Sequence, residues 1–466
     1  MVPDAESVRA GGERDGVGAA RWRAFTALVA VERGKAARLR TALRLDDLAA
    51  RDRALGLELS AGVERRRITI DALLLPFTAR GILPDDPFVR TALRLGAYQV
   101  LWLPRIPVRA AVHGAVGLLR RQRPLVNALL RRLAASIVER AADPTQPRTE
   151  FALPPAGETP RALVLPRAAL PDPVADPIGH VGVLHGLPAD LVGRWFAAFG
   201  AERAAAVAAA SAEPAGVTLR VQPARGDAAA LQRALAAEGV LTEPLAGGRF
   251  LRLRDVQGTS PFSTEAYREG RFSVQDPTAF AAAAALAPEP GETLLDLCAA
   301  PGGKATALAE LLRGRGRVFA YDPDAARLRL VEEARRRLGL EDVLQVVGDL
   351  ASVPERCDGV LADVPCSNTG VLARRVEVRR RSIAESIARV VPEQRALLAT
   401  ALARTRPGGR VVYSTCSLEP EENRGVVEAV LAAHPGVVLV AEQTTLPAAG
   451  EHDGGYLAVL RTPPAG

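Results

Sequence analysis

One segment decides the fold of the C-terminal half of this chain: Leu294-Leu295-Asp296-Leu297-Cys298-Ala299-Ala300-Pro301-Gly302-Gly303-Lys304. Its apolar start predicts a strand over residues 293–297, and a helical pattern resumes over 304–312. A strand that turns into a helix through small residues lets the first backbone amides of the helix approach a ligand. The spacing is neither a GxGxxG fingerprint nor a Walker P-loop. The segment therefore predicts a cofactor loop of another kind, or else an ordinary strand-to-helix turn.

The same alternation of strand and helix continues on both sides of this segment. Apolar runs predict further strands, and 3.6-residue periodicity predicts the helices between them. The strands fall at 318–321, 344–347, 360–363 and 410–414, and the helices at 325–338 and 392–405. Strands that alternate with helices are typical of a parallel, doubly wound sheet. We therefore expect one α/β domain over residues 271–466.

Acidic residues follow two of these strands. Asp322 comes about 20 positions after the glycine turn, where a carboxylate can hold a cofactor ribose; alternatively it is an exposed N-cap of the helix that begins near Pro323. Asp349 follows the strand over 344–347 and could accept a hydrogen bond from an adenine amino group, or cap a helix.

Two cysteines also follow strands. They lie in Leu361-Ala362-Asp363-Val364-Pro365-Cys366-Ser367-Asn368-Thr369-Gly370 and in Tyr413-Ser414-Thr415-Cys416-Ser417-Leu418-Glu419-Pro420-Glu421-Glu422-Asn423. A single cysteine is usually inert packing. Two of them at the ligand-binding edge of one sheet favour a reactive site.

The rest of the chain divides into four parts. We expect a disordered tail (1–20), an all-α domain (21–140) with helices over 22–32, 52–65 and 87–98, a proline-rich linker (141–180), and a small α/β module (181–270). Proline density excludes helix interior and central strand from the linker. Within the small module we expect a helical pair over 188–212, strands over 217–221 and 250–253, and a helix over 228–238.

Composition permits a polyanionic partner without requiring one. The 466 residues include 60 basic and 53 acidic side chains, for a net charge of +7. The four cysteines show no metal-ligand spacing, so we expect no metal site. The N-terminus lacks an apolar signal region and no apolar run is long enough to span a bilayer. We therefore expect a cytoplasmic protein without a membrane partner.

Taken together, these segments resemble a known family. From about residue 270 to 466, including Ser273-Val274-Gln275-Asp276, the motifs are similar to those of RNA (cytosine-5) methyltransferases of the Sun/NOL type. Residues 48–55, 93–99 and 126–132 resemble the NusB fold, a helical RNA-binding domain. The combination is identified as a member of the bacterial small-subunit rRNA methyltransferase B family. It implies a NusB-like all-α domain followed by a Rossmann-like class I methyltransferase domain.

The resemblance also implies the roles of individual residues. Cys416 would attack carbon 6 of cytosine, Cys366 would help to release the product, and Asp363 would hydrogen-bond the base. S-adenosylmethionine would lie against residues 298–304, with Asp322 on its ribose and Asp349 on its adenine. Lys304 is a candidate for activating the Cys416 thiol, and Cys357 matches no motif and is interpreted as structural. The expected partner is RNA, in particular 16S rRNA, bound by a monomer, with no DNA.

Two arginine groups are candidates for RNA contact. The first follows the Pro-Cys segment and comprises Arg374, Arg375, Arg379, Arg380 and Arg381. The second lies in the helical domain and comprises Arg120, Arg121, Arg123, Arg131 and Arg132. Arginine suits phosphate contacts; the alternative is a solvated helix face.

Some positions depart from the family pattern. Val376-Glu377-Val378 stands where His-Pro-Asp is usual, and Asn368 stands in a segment that is usually Ser-Gly-Thr-Gly. Both changes lie near the substrate side and bear on RNA choice. His113-Gly114 stands where an Asn-Glu pair is usual, and Arg220-Val221-Gln222 stands where Arg-Val-Asn is usual.

Three rival functions follow. The chain could be an inactive NusB-like assembly factor, or could carry the same chemistry to tRNA. A DNA cytosine methyltransferase is disfavoured, because such enzymes attack with the Pro-Cys cysteine and lack the second one.

Overall fold

The computed structural model describes residues 18–36, 38–256 and 259–465. The chain divides into two compact units at the junction between Ala212 and Glu213. Most of the predicted disordered tail lies outside the described residues, but Ala19 and Ala20 already belong to the first helix. No helix among the described residues combines the length and apolar character needed to cross a bilayer.

The first unit begins with a group of helices: α1 (Ala19–Glu32), α2 (Leu39–Ala42), α3 (Ala50–Arg65), α4 (Arg67–Leu74), α5 (Pro87–Trp102), α6 (Val108–Gly117) and α7 (Arg123–Ala135). Helix α5 is the most buried, and Asp86 caps it by accepting from the Phe88 amide at 2.8 Å. Glycines let other helices approach α5 closely: a Cβ at Gly62 would lie 2.1 Å from the Tyr98 ring. The prediction of a helical N-terminal domain is confirmed for these residues.

The predicted linker is a packed hairpin. Strands β1 (Ile137–Val138), β2 (Glu150–Ala156) and β3 (Thr159–Val164) form an antiparallel sheet in the order β1-β3-β2. Pro154 and Pro155 lie in β2, an edge strand, where the register is interrupted between Leu153 and Ala156. A missing amide hydrogen costs little at such a place. Part of the predicted linker is therefore a hairpin, and two of its prolines lie in the edge strand.

Three helices complete the first unit: α8 (Pro177–His185), α9 (Ala189–Phe199) and α10 (Ala201–Ala212). We predicted that the helical pair over 188–212 belongs to the small α/β module. The compact-unit boundary at Ala212 instead groups it with the N-terminal helices.

The second unit opens with a small antiparallel sheet. It contains β4 (Thr218–Val221), β5 (Val240–Pro244), β6 (Phe250–Val256) and β7 (Phe272–Val274), with helices α11 (Ala228–Ala237) and α12 (Glu265–Arg268). The strand order is β5-β6-β4-β7. Strands β5 and β7 are additions to the predicted module.

The main sheet has seven strands in the order β10-β9-β8-β11-β12-β14-β13. They are β8 (Thr293–Asp296), β9 (Arg317–Tyr321), β10 (Leu344–Val347), β11 (Cys357–Asp363), β12 (Thr405–Thr415), β13 (Val438–Thr445) and β14 (Gly455–Arg461). The first five are parallel, as predicted, whereas β14 runs antiparallel to β12 and to β13. The sheet is therefore mixed at one end, a correction to the all-parallel expectation.

Helices cover both faces of this sheet: α13 (Pro277–Ala285), α14 (Gly303–Leu311), α15 (Ala325–Leu338), α16 (Ile383–Ala403) and α17 (Arg424–Ala433). Leu294 packs in a core with α13, α14 and α15, and its neighbour Leu295 packs in a core with α16 and α17. Successive strand residues point to opposite faces, so a doubly covered strand is apolar throughout. Helix α16 begins at Ile383 and continues through Pro392, where we had predicted its start.

Candidate active site

The strand order brings the chemically suggestive segments to one edge of the main sheet. Strands β9, β8, β11 and β12 lie side by side and parallel, so their carboxyl ends share that edge. The chain winds outward from β8 through β9 to β10 and then crosses back to β11. Ligands of open α/β sheets bind at such a reversal.

The loop between β8 and α14 is built for close backbone approach. Gly302 has φ +110°, and a Cβ there would lie 3.2 Å from the Cα of Val331. Among the described residues, no side chain caps the start of α14, which leaves its first amides without a side-chain acceptor there. A cavity of about 360 Å³ runs along this loop and is lined by Cys298, Ala299, Ala300, Pro301, Gly303, Lys304 and Asp363, among others.

A fully buried arginine supports this loop from the small sheet. Arg220 of β4 donates to the Gly303 carbonyl at 2.9 Å and to Glu310 at 2.6 Å. Both side chains of this ion pair are at most 2% exposed. In the sequence, Arg220 is only the first residue of a segment whose last residue departs from the family pattern. The unchanged arginine in that motif was the available signal for a role under the loop.

Asp322 and Asp349 differ in environment. Asp322 is 2% exposed and accepts from the Ala300 amide at 3.2 Å, which ties it to the loop. The helix cap is Asp324, so the reading of Asp322 as an exposed cap is wrong. Asp349 is exposed and accepts from the Ala351 amide at 2.9 Å, capping a short 3₁₀ turn.

An ion pair stands at the centre of the site. The Lys304 Nζ lies 2.6 Å from the Asp363 Oδ2. Burial disfavours the ammonium, but the Asp363 carboxylate outweighs this and raises the pKa of Lys304. Burial, with the nearby Asp363 charge, raises the pKa of Asp296 to about 7. Within the described part of the chain, one Asp296 oxygen has no hydrogen-bond partner.

The two cysteines of the site face each other. The Sγ atoms of Cys366 and Cys416 are 3.3 Å apart. Cys416 also lies 3.4 Å from the Asn368 Oδ1. The hydrogen bond between the two thiols, together with burial, raises the pKa of Cys366 well above its usual value. Cys416 lines a second cavity, which shares Lys304 and Asp363 with the cavity along the loop.

The remaining cysteines lie apart from this pair. Burial raises the pKa of Cys298, whose backbone belongs to the loop. Cys357 is 1% exposed within the sheet core, as expected of a structural residue.

The five arginines after the Pro-Cys segment divide by environment. Arg379 is 2% exposed and donates to the Leu372 carbonyl at 2.7 Å, so its prediction as a phosphate contact is wrong. Arg374 pairs with Asp453 at 2.5 Å and with Asp276 at 3.1 Å. Arg375 is exposed, and Arg380 and Arg381 are half-buried. Residues 376–380 form a 3₁₀ turn, not the solvated helix of the alternative.

Comparison with known proteins decides the family. The profile of the 16S rRNA methyltransferase RsmB/F family matches residues 283–461, and that of the NusB family matches residues 19–135. A probable ribosomal RNA small subunit methyltransferase B of Bacillus subtilis is 30% identical over 429 residues, covering 88% of both chains. The ribosomal RNA small subunit methyltransferase B of Pseudomonas putida is 31% identical over 94% of this chain and 98% of its own.

The chain belongs to the ribosomal RNA small subunit methyltransferase B family. Membership confirms the predicted resemblance and the combination of a NusB-like domain with a Rossmann-like methyltransferase domain. It also confirms an RNA methyltransferase that uses S-adenosylmethionine.

Solved structures share this fold. The methyltransferase homolog protein from Pyrococcus horikoshii is 26% identical with a TM-score of 0.54, covering 61% of this chain and 99% of that one. PH0851 is 22% identical with a TM-score of 0.70 over 94% of this chain and 98% of its own, a likeness of fold alone.

Proposed function

We propose that this chain transfers a methyl group from S-adenosylmethionine to carbon 5 of a cytosine in 16S rRNA, with Cys416 as the covalent nucleophile. One observation carries the proposal: the cavity along the loop and the cavity that contains Cys416 meet at the Lys304–Asp363 pair. A methyl donor in the first cavity and a base in the second would therefore face each other across this pair.

The loop fits the methyl donor. S-adenosylmethionine supplies an electrophilic methyl group when bound. Residues 298–304 would hold its methionine part through the backbone amides at the start of α14. Asp322 would hold the ribose, and Asp349, which is exposed at the end of β10, would contact the adenine.

Cys416 would activate the base. Carbon 5 of cytosine is a weak nucleophile, and a thiolate that adds to carbon 6 converts the ring into an enamine. Lys304 and Cys416 line the same cavity, and a neighbouring cation is the kind of surrounding in which nucleophilic cysteines are found. Asp363, which accepts a hydrogen bond from Lys304, would also accept one from the edge of the base. Lys304 would neutralise the charge that develops on the ring.

Cys366 would act in product release. After methyl transfer, carbon 5 loses its proton and the Cys416–carbon 6 bond breaks. The Cys366 sulfur lies 3.3 Å from that of Cys416, so a Cys366 thiolate, formed when that thiol gives its proton to solvent after Cys416 has bonded to carbon 6, would lie next to the adduct. This supports Cys366 as the group that accepts the carbon 5 proton.

A methyl-transfer assay with labelled S-adenosylmethionine tests the function. The substrates are unmethylated 16S rRNA, 23S rRNA and tRNA, and wild type is compared with Cys416→Ala and Cys366→Ala. We expect label at carbon 5 of cytosine in 16S rRNA, none with Cys416→Ala, and a trapped protein–RNA adduct with Cys366→Ala. Label only in tRNA would overturn the substrate. No transfer to any RNA would favour the inactive assembly factor.

A further inference from the structure

A fully buried carboxylate lies behind the two cysteines. Glu422 follows β12 in the segment that leads to α17, and it is 0% exposed. A charged group in such a place is costly unless several donors satisfy it. Its hydrogen bonds therefore indicate what it holds.

On the Cys366 side, Glu422 holds the residues that flank the cysteine. Its Oε2 accepts from the Ser367 amide at 2.8 Å, and its Oε1 accepts from the Ser367 hydroxyl. The Gln394 amide donates to the Glu422 Oε2 at 3.0 Å and to the Pro365 carbonyl at 2.8 Å. The residues before and after Cys366 are thus fixed relative to one carboxylate.

On the Cys416 side, the same carboxylate holds the residue after the cysteine. The Ser417 hydroxyl donates to the Glu422 Oε1 at 2.7 Å. The Tyr413 hydroxyl, from β12, donates to the Glu422 backbone carbonyl at 2.6 Å. Each cysteine is therefore followed by a serine that donates to the same carboxylate, one from each loop.

We propose that Glu422 is a positioning residue that sets the separation of Cys366 and Cys416 and holds a negative charge on the Cys366 side of the pair. This inference rests on the proposed function, in which Cys416 attacks the base and Cys366 acts in product release. Charge-assisted hydrogen bonds of this kind are short and directional, so they can hold two loops in one register.

The charges around the two sulfurs are asymmetric. The Glu422 carboxylate contributes to the raised pKa of Cys366, after the Cys416 hydrogen bond and burial. Lys304 interacts with Cys416 and lines the cavity that contains it. The site therefore disfavours a Cys366 thiolate while Cys416 attacks, which keeps the two roles separate.

Glu422→Gln is the variant that tests this role, because it keeps the shape and removes the charge. Glu421→Gln, the exposed neighbour, is the matched control. Misplacement of a reacting group by about 1 Å costs about 10²-fold in rate. We expect Glu422→Gln to lower kcat about 10²-fold, with the KM for RNA within about 2-fold of wild type, and Glu421→Gln to match wild type.

A second measurement separates a positioning role of Glu422 from a general loss of local structure around the cysteines. Alkylation of each cysteine by iodoacetamide is followed against pH by peptide mass spectrometry. We expect the Cys366 profile of Glu422→Gln to shift to lower pH, because a negative charge has been removed. A larger extent of alkylation without a shift, or a kcat within about 3-fold of wild type, would overturn the proposal.

Two further variants and the wild type complete the design. If Glu422→Gln does not fold, Ser367→Ala and Ser417→Ala each remove one hydroxyl hydrogen bond to Glu422 and are expected to lower kcat about 10-fold. Unchanged kcat in both variants would overturn the proposal. If wild type transfers no methyl group to RNA, the proposed function fails. The alkylation profiles then decide the inference about Glu422 separately.

Discussion

Replacing Glu310 by Leu while Arg220 stays in place is expected to destabilise the second unit by about 3–5 kcal/mol, the usual cost of leaving one buried charge without its partner. The Arg220 side chain is 0% exposed and that of Glu310 is 2% exposed, so water cannot replace the lost carboxylate. A loss of this size is a large part of the 5–15 kcal/mol by which a typical domain is stable.

The double variant Arg220→Met with Glu310→Leu is expected to recover most of that loss. Burial raises the pKa of Glu310 even though Arg220 lowers it, so the cost of desolvation exceeds the attraction within the pair. Replacing such a pair by apolar groups of similar volume is often neutral or stabilising. The lost hydrogen bond to the Gly303 carbonyl should still weaken binding of S-adenosylmethionine.

Urea unfolding of the full chain measures the free energy of unfolding of wild type, the two single variants and the double variant, which together form a double-mutant cycle. Calorimetry measures the affinity for S-adenosylmethionine. Arg336→Met is the control, because its pair with Glu332 is exposed and should be worth less than about 1 kcal/mol. The reasoning is refuted if Glu310→Leu costs less than 1 kcal/mol, or if the double variant loses the sum of the two single losses.

Three further predictions concern other parts of the chain. Gly302→Ala introduces a Cβ at φ +110° against Val331 and should cost about 1–3 kcal/mol and weaken S-adenosylmethionine binding, as thermal unfolding and calorimetry would detect; an unchanged Tm would contradict it. Burial lowers the pKa of His185 from 6.5 to about 4, so the unfolded state binds the proton more readily and stability is lost as pH falls from 6.5 to 4, by at most about 3 kcal/mol. Urea titrations at pH 7 and pH 4.5 should show a smaller difference for His185→Gln than for wild type. Arg375→Ala should weaken RNA binding and reduce its salt dependence, as filter binding would show. Arg379→Ala should instead lower the free energy of unfolding by about 1–3 kcal/mol, as urea unfolding would show. The reverse pattern would refute the assignment of Arg375 to RNA contact and of Arg379 to the protein interior.

The sequence predicted the site where local pattern and motif coincide. Several parts of the site were predicted from apolar runs and the residues that follow them. They are the strand before Cys298, the strand ends before Asp322 and Asp349, and the cysteines after β11 and β12. Such patterns are local, so they are readable without the fold. The parallel order of these strands then brings their carboxyl ends to one edge.

Features that depend on distant contacts could not be predicted. Arg220 lies 90 positions before Glu310, and Ser367 lies 55 positions before Glu422. Apart from the motif that begins at Arg220, nothing local distinguishes such side chains from solvated ones. Arg379 could not be told from the less buried arginines around it for the same reason, although it is buried.

Proline misled the prediction of one helix. Pro392 was taken as a helix start because a proline in a helix interior removes a hydrogen bond. The structure places it inside the 21-residue helix α16, where the packing of that helix on the sheet outweighs the local cost. Pro154 and Pro155 were taken to exclude helix interior and central strand, and they lie in an edge strand with an interrupted register, which agrees with that expectation.

The central claim is that the Cys416 sulfur forms the covalent bond to the target base. The most direct test incubates Cys366→Ala with S-adenosylmethionine and unmethylated 16S rRNA, digests the complex with nuclease and protease, and identifies the modified peptide by mass spectrometry. We predict a nucleotide attached to the peptide that contains Cys416. A nucleotide on any other residue, or methylated RNA formed by Cys416→Ala without an adduct, would contradict the mechanism.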